Sequence, residues 1–172
     1  MAEAIIFLRR LGTRYIPVDL SAGEGGRYPS IVSRCDLCAD LDRYPANFFD
    51  LVIHHHVLEH LKCDPFAVLG QMKRTMRFGA IMIFSVPISV GSYRENTSES
   101  LTDDDRERLF GQGDHVRMFG RDDAKQRFIQ ALGPINHDAR KLAGEVALTR
   151  AAIPEEAYKT LSGHTVWLYR KI

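Results

Sequence analysis

The stretch from Phe49 to Pro87 constrains this chain most. Phe49-Asp50-Leu51-Val52-Ile53 is apolar and partly branched, as a strand buried on both faces should be. The polar cluster His54 to His56 ends it. Between Val57 and Met76 the apolar positions Leu58, Leu61, Phe66, Leu69, Met72 and Met76 keep helical spacing, in two segments broken at Asp64-Pro65. Phe78-Gly79 ends that helix, and Ala80 to Pro87 reads as a second buried strand. Strand, helix and buried strand in under 40 residues predict a right-handed parallel crossover, so the class is α/β.

The flanks are less regular. Ala4 to Leu11 predicts a short helix stopped by Gly12, with Ile5, Leu8 and Leu11 on one stripe. Tyr15 to Leu20 predicts a strand weakened by Pro17, closed by the Ser21–Gly26 turn; Ile31 to Ala39 predicts another. After Pro87 comes a long polar loop, Ile88 to Arg108, in which Thr102-Asp103-Asp104-Asp105 opens a helix through Leu109. A glycine-rich segment, Phe110 to Gly120, precedes an amphipathic helix over Asp122–Leu132, ended by Gly133-Pro134. A helix around Pro154–Leu161 and a last strand over His164–Tyr169 complete one expected domain, residues 1–172.

Composition narrows the setting. The 23 basic residues against 22 acidic give no electrostatic case for nucleic acid or an anionic membrane as partner. No apolar run approaches the roughly 18 residues of a membrane-spanning helix. Met1 to Arg10 has neither the basic start nor the cleavage site of a secretory signal. Cys35, Cys38 and Cys63 are too few for a disulfide framework, and the expected location is the cytoplasm.

Four patterns bear on chemistry. His56-Val57-Leu58-Glu59-His60 fits H-x-x-E-H, in which two helix-borne histidines flank a general-base glutamate; Glu145, Glu155 or Glu156 would supply a third zinc ligand. Cys35-Asp36-Leu37-Cys38 has C-x-x-C spacing but no second tight pair, and small buried hydrophobes are the simpler reading. Asp19-Leu20-Ser21-Ala22-Gly23-Glu24-Gly25-Gly26 offers a tight turn, though Tyr28-Pro29-Ser30 is a weak helix opening after it. Asp19 ends the first strand, Asp40 lies just past the second, and the histidines lie past the third. Polar caps at the carboxyl ends of neighbouring parallel strands describe a nucleoside-sized pocket.

These residues are similar to a known family. Asp40-Leu41 with Tyr44-Pro45 after it, then Phe49 to Ile53, then Val57-Leu58-Glu59-His60-Leu61, resemble the central block of class I S-adenosylmethionine-dependent methyltransferases. Met72-Lys73-Arg74-Thr75-Met76-Arg77-Phe78-Gly79-Ala80 resembles the family's entry into the next strand. Phe110 to Gly120 resembles a segment of one bacterial branch. The resemblance implies a Rossmann-like three-layer sandwich whose mostly parallel sheet carries a C-terminal antiparallel strand. It also implies S-adenosylmethionine as cofactor and a small-molecule methyl acceptor. By the same resemblance Asp19 would accept hydrogen bonds from the ribose hydroxyls, and Asp40 from the adenine amino group, with Leu41 beside it. His54 and His55 would line the floor near the methionine portion, while Glu59 and His60 orient their loop. His115 is the expected base, Asp114 its orienting partner, and Arg117 the grip on an anionic substrate group.

One departure stands out. Family members begin with a strand and a glycine-rich loop that holds the cofactor's methionine end. Placing Asp19 at the end of the second family strand leaves no room for that first strand. Making Val18–Gly25 the glycine loop instead leaves 23 residues before Phe49, too few for the usual helix, strand, helix and strand. The expectation is therefore a sheet lacking its first strand, with weak cofactor binding by this chain alone. Its open edge would be covered by the N-terminus, a second copy or another partner. Three functions stay open at this point: a methyltransferase, a non-catalytic methyltransferase-like binding or assembly module, and a zinc hydrolase using His56, Glu59 and His60.

Overall fold

The computed structural model describes residues 2–23 and 31–172, which form two compact units, Met1–Arg43 and Tyr44–Ile172. In the first unit, α1 (Ala2–Leu11) ends with Arg9 and Arg10 against its negative dipole end. Gly12, at φ +55°, turns the chain into a short 3-10 segment, Gly12–Arg14. The two expected strands are real but brief. β1 is Val18–Asp19 and β2 is Ser33–Arg34, paired in parallel with Asp19 opposite Arg34.

Local chemistry shortens both strands. Pro17 has no N–H to donate, and only its carbonyl joins the ladder, accepting Ser33 N at 3.1 Å. Beyond Cys35 the carboxylates pull the chain into turns: Asp36 Oδ1 accepts Cys38 N at 2.8 Å, and Asp40 Oδ2 accepts Asp36 N at 2.8 Å. A 3-10 turn, Leu41–Arg43, closes the unit. Of the C-x-x-C pair, Cys35 is buried and Cys38 exposed. The Gly25-Gly26 part of the expected turn and Tyr28-Pro29-Ser30 lie outside the described residues.

The second unit holds the expected crossover. β3 (Phe49–His55) and β4 (Met76–Ser85) pair in parallel from Leu51 opposite Ile81 to His55 opposite Ser85. Between them α2 (Pro65–Thr75) starts at Asp64, whose side chain accepts Phe66 N at 2.8 Å, with Pro65 in the first turn. The expected helix over Val57–Met76 is thus halved, because residues 57–63 form turns. It also stops earlier than the sequence implies, since Met76 to Gly79 join β4 rather than the helix. The ladder slips between Phe49 and Leu51, and Gly79, at φ +82°, sits in that irregularity.

The polar stretch after Pro87 holds more order than expected. β5 (Ile88–Ser89), β6 (Arg94–Glu95) and β7 (Arg117–Gly120) form a small three-stranded sheet with β7 in the middle. All four residues of β7 are buried. A Cβ on Gly120 would stand 2.2 Å from Gly91 O, so only glycine fits there. Between β6 and β7, α3 (Asp103–Phe110) carries the full capping box, Thr102 and Asp105 bonding each other's backbone, and ends at Gly111 in left-handed conformation.

α4 (Ala124–Leu132) follows as expected, then β8 (Ile135–Asn136), two short helices the sequence did not signal, α5 (Ala139–Ala143) and α6 (Glu145–Arg150), α7 (Glu156–Lys159) and β9 (Trp167–Arg170). The main sheet runs β3-β4-β9-β8. β3 and β4 are parallel, β9 opposes β4, and β8 opposes β9, so the last strand of the chain is the reversed one. Among the described residues, β3 has a ladder partner in this sheet on one side only.

The core lies between α2, α4 and this sheet. Phe128 of α4 is its centre, with ring centroids 5.1 Å from Phe84, 5.0 Å from Trp167 and 5.5 Å from Phe119. All four rings are fully buried. Lys73 Nζ at the end of α2 donates to Leu132 O at 2.8 Å, which satisfies a terminal carbonyl of α4.

Candidate functional site

The expected site residues fall into two groups, one in each unit. In the first, β1 and β2 run in parallel and their chain continues past the carboxyl ends through Asp19 and the Cys35–Asp40 turn. Asp19 is half-buried, and its Oδ1 accepts Ser21 N at 2.8 Å. Cys35 N donates to Asp19 O at 3.1 Å, the last rung before the strands part. Asp40 is also half-buried; its Oδ2 takes Asp36 N and lies 3.7 Å from Arg43 Nη1. Leu41 beside it is buried. Both carboxylates therefore stand on the carboxyl side of the same parallel pair, each with one oxygen committed to the turn that shapes it.

The second group crowns β3. His54 is buried, its ring stacked on Phe84 at 5.1 Å and 15°, and neither of its nitrogens has a partner among the described residues. Burial, and after it the neighbouring His55, push its pKa down from 6.5 to about 3, so it is neutral at physiological pH. His55 Nδ1 bonds Ser85 Oγ at 2.9 Å, tying the ends of β3 and β4 together. Ser85 escaped the sequence reading; its only signal was its position at the end of the second buried strand.

His56 turns the chain out of the strand at φ +51°, and its Nδ1 lies 3.1 Å from Glu59 Oε1. Glu59 is fully buried, and its Oε2 has no partner among the described residues. The H-x-x-E-H histidines do not share a helix face, because residues 57–60 are a turn. His56 backs the carboxylate instead. His60 Nδ1 lies 3.3 Å from both Asp114 O and Asp114 Oδ2, and its ring meets His115 edge-on at 4.7 Å. Asp114 thus faces His60 rather than His115. His115 is buried, with Nδ1 3.3 Å from Phe110 O.

Arg117 differs from its expected use. It is fully buried, and its donors go to protein: Nε to Glu95 Oε2 at 2.8 Å and Tyr93 Oη at 3.1 Å, Nη1 to Leu58 O and Leu61 O, Nη2 to Cys63 O at 3.0 Å. A guanidinium so engaged clamps the Leu58–Cys63 turn to β7 and has little left for a substrate anion. Burial and the hydrogen bond to Glu95 push the Tyr93 phenol well above its usual range. Val116 N donates to Glu59 O at 3.0 Å, a second tie between the same two segments.

A crossover sheet of order β3-β4-β9-β8, with its reversed last strand and polar side chains crowning the parallel ends, defines a Rossmann-like α/β fold of the class I methyltransferase kind. A model of the methyltransferase domain matches residues 2–133, and the chain belongs to that family, among the class I S-adenosylmethionine-dependent methyltransferases. Among solved structures, a SAM-dependent methyltransferase from Archaeoglobus fulgidus superposes with a TM-score of 0.56 at 17% identity, over 99% of this chain and 81% of that one. Phosphoethanolamine N-methyltransferase 2 of Haemonchus contortus, in complex with S-adenosyl-L-methionine, gives 0.52 at 13% identity, over 98% of this chain and 45% of that one. Comparison with curated proteins finds no match. Among the described residues no helix is long and apolar enough to cross a membrane.

Proposed function

We propose that the protein is an S-adenosylmethionine-dependent methyltransferase of a small molecule, holding the adenosine half of its cofactor through Asp19 and Asp40. The observation that carries this reading is that Asp19 is the last residue of β1 and Asp40 lies in the turn after β2, both half-exposed at the carboxyl side of the parallel pair. A carboxylate accepts and never donates, which suits vicinal hydroxyls at Asp19 and an exocyclic amino group at Asp40. Asp19 Oδ1 is spent on Ser21 N, so the ribose would use Oδ2. Leu41 would supply an apolar wall. His54, the proposed neighbour of the methionine portion, is neutral, and neither of its ring nitrogens has a partner among the described residues, so the crown of β3 carries no positive charge there.

The chemistry that S-adenosylmethionine supplies when bound is a methyl group already activated on a sulfonium. What remains for the chain is alignment of the acceptor and removal of its proton. His115 is the proposed base: with Nδ1 turned to the Phe110 carbonyl, which only accepts, the proton sits there and Nε2 keeps a lone pair. Asp114 would act through His60. Arg117 would be a positioning residue for the loop that carries them.

The test is calorimetric titration of the full chain with S-adenosylmethionine and with its demethylated product. Binding at one site, weakened about tenfold or more by Asp19→Asn, is expected. Equal affinity in the variant, or no heat from either ligand, overturns the reading. A second reading, a non-catalytic methyltransferase-like module, draws on the pairing of β3 on one side only among the described residues. Absence of cofactor heat together with a stable complex with a second copy or another protein would favour it.

A further inference from the structure

The group Glu59, His60 and His115 has a property that neither methyl transfer nor loop packing uses. One ligating atom from each of the three lies within 4.8 Å of the other two. Such proximity means little by itself, so the surroundings of each side chain matter. Glu59 is fully buried with Oε1 engaged by His56, while Oε2 has no partner among the described residues. A fully buried carboxylate oxygen without a donor is costly, and a cation removes that cost.

Both imidazoles are held by their other nitrogen. His60 Nδ1 faces Asp114 O and Oδ2, which only accept, so the proton lies on Nδ1. His115 Nδ1 faces the Phe110 carbonyl with the same consequence. Each ring therefore keeps its Nε2 lone pair. An acceptor on the far nitrogen is how metal-binding histidines are oriented, a carboxylate or carbonyl doing it in most sites. The frame is also rigid. Val116 N to Glu59 O joins the two ligand-bearing segments, and Arg117 grips Leu58 O, Leu61 O and Cys63 O behind them.

We propose that Glu59 Oε2, His60 Nε2 and His115 Nε2 form a binding site for a zinc ion, with its fourth position open. A carboxylate and two imidazoles with one vacant position is the composition of an accessible zinc site rather than a closed structural one. Ligands of a tetrahedral zinc ion stand about 3.3 Å apart, so the ligand atoms close by at most about 1.5 Å on loading. His115 cannot be base and ligand at once, because one lone pair serves both. Zinc loading thus takes this residue out of proton transfer. The set differs from the H-x-x-E-H reading in that His115 replaces His56, which supports the carboxylate from behind.

Full chain stripped with a chelator is titrated with zinc chloride by calorimetry, and separately with cobalt(II) followed by visible absorption. About one zinc per chain is expected, with the intense bands of four-coordinate cobalt. Glu59→Gln and His60→Gln should each lower zinc affinity by more than about 100-fold, and Asp114→Asn by about 10- to 100-fold. His164→Gln, an exposed histidine elsewhere, should change nothing. Circular dichroism of each variant separates lost ligation from lost folding, and His60, only partly buried, is the substitution least able to disturb the core. No zinc heat from the wild type overturns the proposal, as does wild-type affinity in folded His60→Gln. Zinc lost instead in Cys35→Ser or Cys38→Ser overturns it equally. None of these outcomes depends on cofactor binding, so this site and the methyltransferase reading can fail separately.

Discussion

Residues 2–43 and residues 44–172 are two answers to the same α/β pattern. The N-terminal unit pairs two strands of two residues each, and leaves Ile6, Ile16, Val18, Leu20 and Ile31 exposed. Among its described residues the buried apolar side chains are Ala22, Cys35 and Leu41. The second unit has a ten-residue strand, β4, and buries Phe84, Phe119, Phe128, Trp167 and Tyr169. Burial of one large ring contributes on the order of 1.5–3 kcal/mol. The difference teaches where stability and where cofactor chemistry reside. Packing is concentrated in the unit with the histidine crown, while the proposed adenosine carboxylates sit on a frame built mainly from turns and side-chain-to-backbone bonds.

The largest expected effect breaks that comparison most directly. Phe128→Ala removes the ring against which Phe84, Phe119 and Trp167 pack, and should cost about 3–5 kcal/mol. Leu20→Ala, at a side chain 53% exposed, should stay within about 0.5 kcal/mol. Denaturant unfolding of both variants checks the contrast, and comparable losses would mean that the N-terminal unit has a core of its own.

Arg117 comes next. Arg117→Met keeps the bulk but withdraws every donor from the carbonyls of Leu58, Leu61 and Cys63, at an expected cost of about 2–4 kcal/mol. Arg117→Lys should recover little, since an ammonium cannot span the planar fork of acceptors. Faster amide exchange over residues 58–63 in the methionine variant is the matching local signature. A lysine variant as stable as the wild type would show that charge, not geometry, holds the turn.

The sequence made the crossover legible because it is built from long apolar runs whose meaning does not depend on distant partners. β3, β4, α4 and the Thr102 capping box all follow from local pattern. The helix over Val57–Met76 was overdrawn, because Leu58 and Leu61 keep helical spacing yet serve as carbonyl acceptors for Arg117 in a turn. β7 was hidden for the opposite reason. Its four residues include a glycine and an arginine, and only their tertiary partners, Gly91 for the one and the Leu58–Cys63 carbonyls for the other, make them buried strand. The site was readable residue by residue, but not in its pairings: that Asp114 turns to His60, and that Arg117 faces inward, depends on how three loops meet.

The smallest effect is a matter of pH, and it sharpens the comparison at its most packed point. His54 has its pKa lowered from 6.5 to about 3 in the folded protein, first by burial and then by His55. The folded state therefore leaves this ring neutral while the unfolded chain takes up a proton below pH 6.5. Stability rises with pH between about 3 and 6.5 and is flat above, with a limiting slope of about 1.4 kcal/mol per pH unit for one proton. Lowering pH from 7.5 to 5.5 should thus cost the wild type about 1.4 kcal/mol through His54. His54→Phe preserves a ring to stack on Phe84 and has nothing to protonate. Urea unfolding of both proteins at the two pH values gives a double difference that isolates His54 with its coupling to His55, while uncoupled titrating groups cancel. If that difference is near zero, the ring is not desolvated in the native protein, and the packed crown of β3 is wetter than its burial implies.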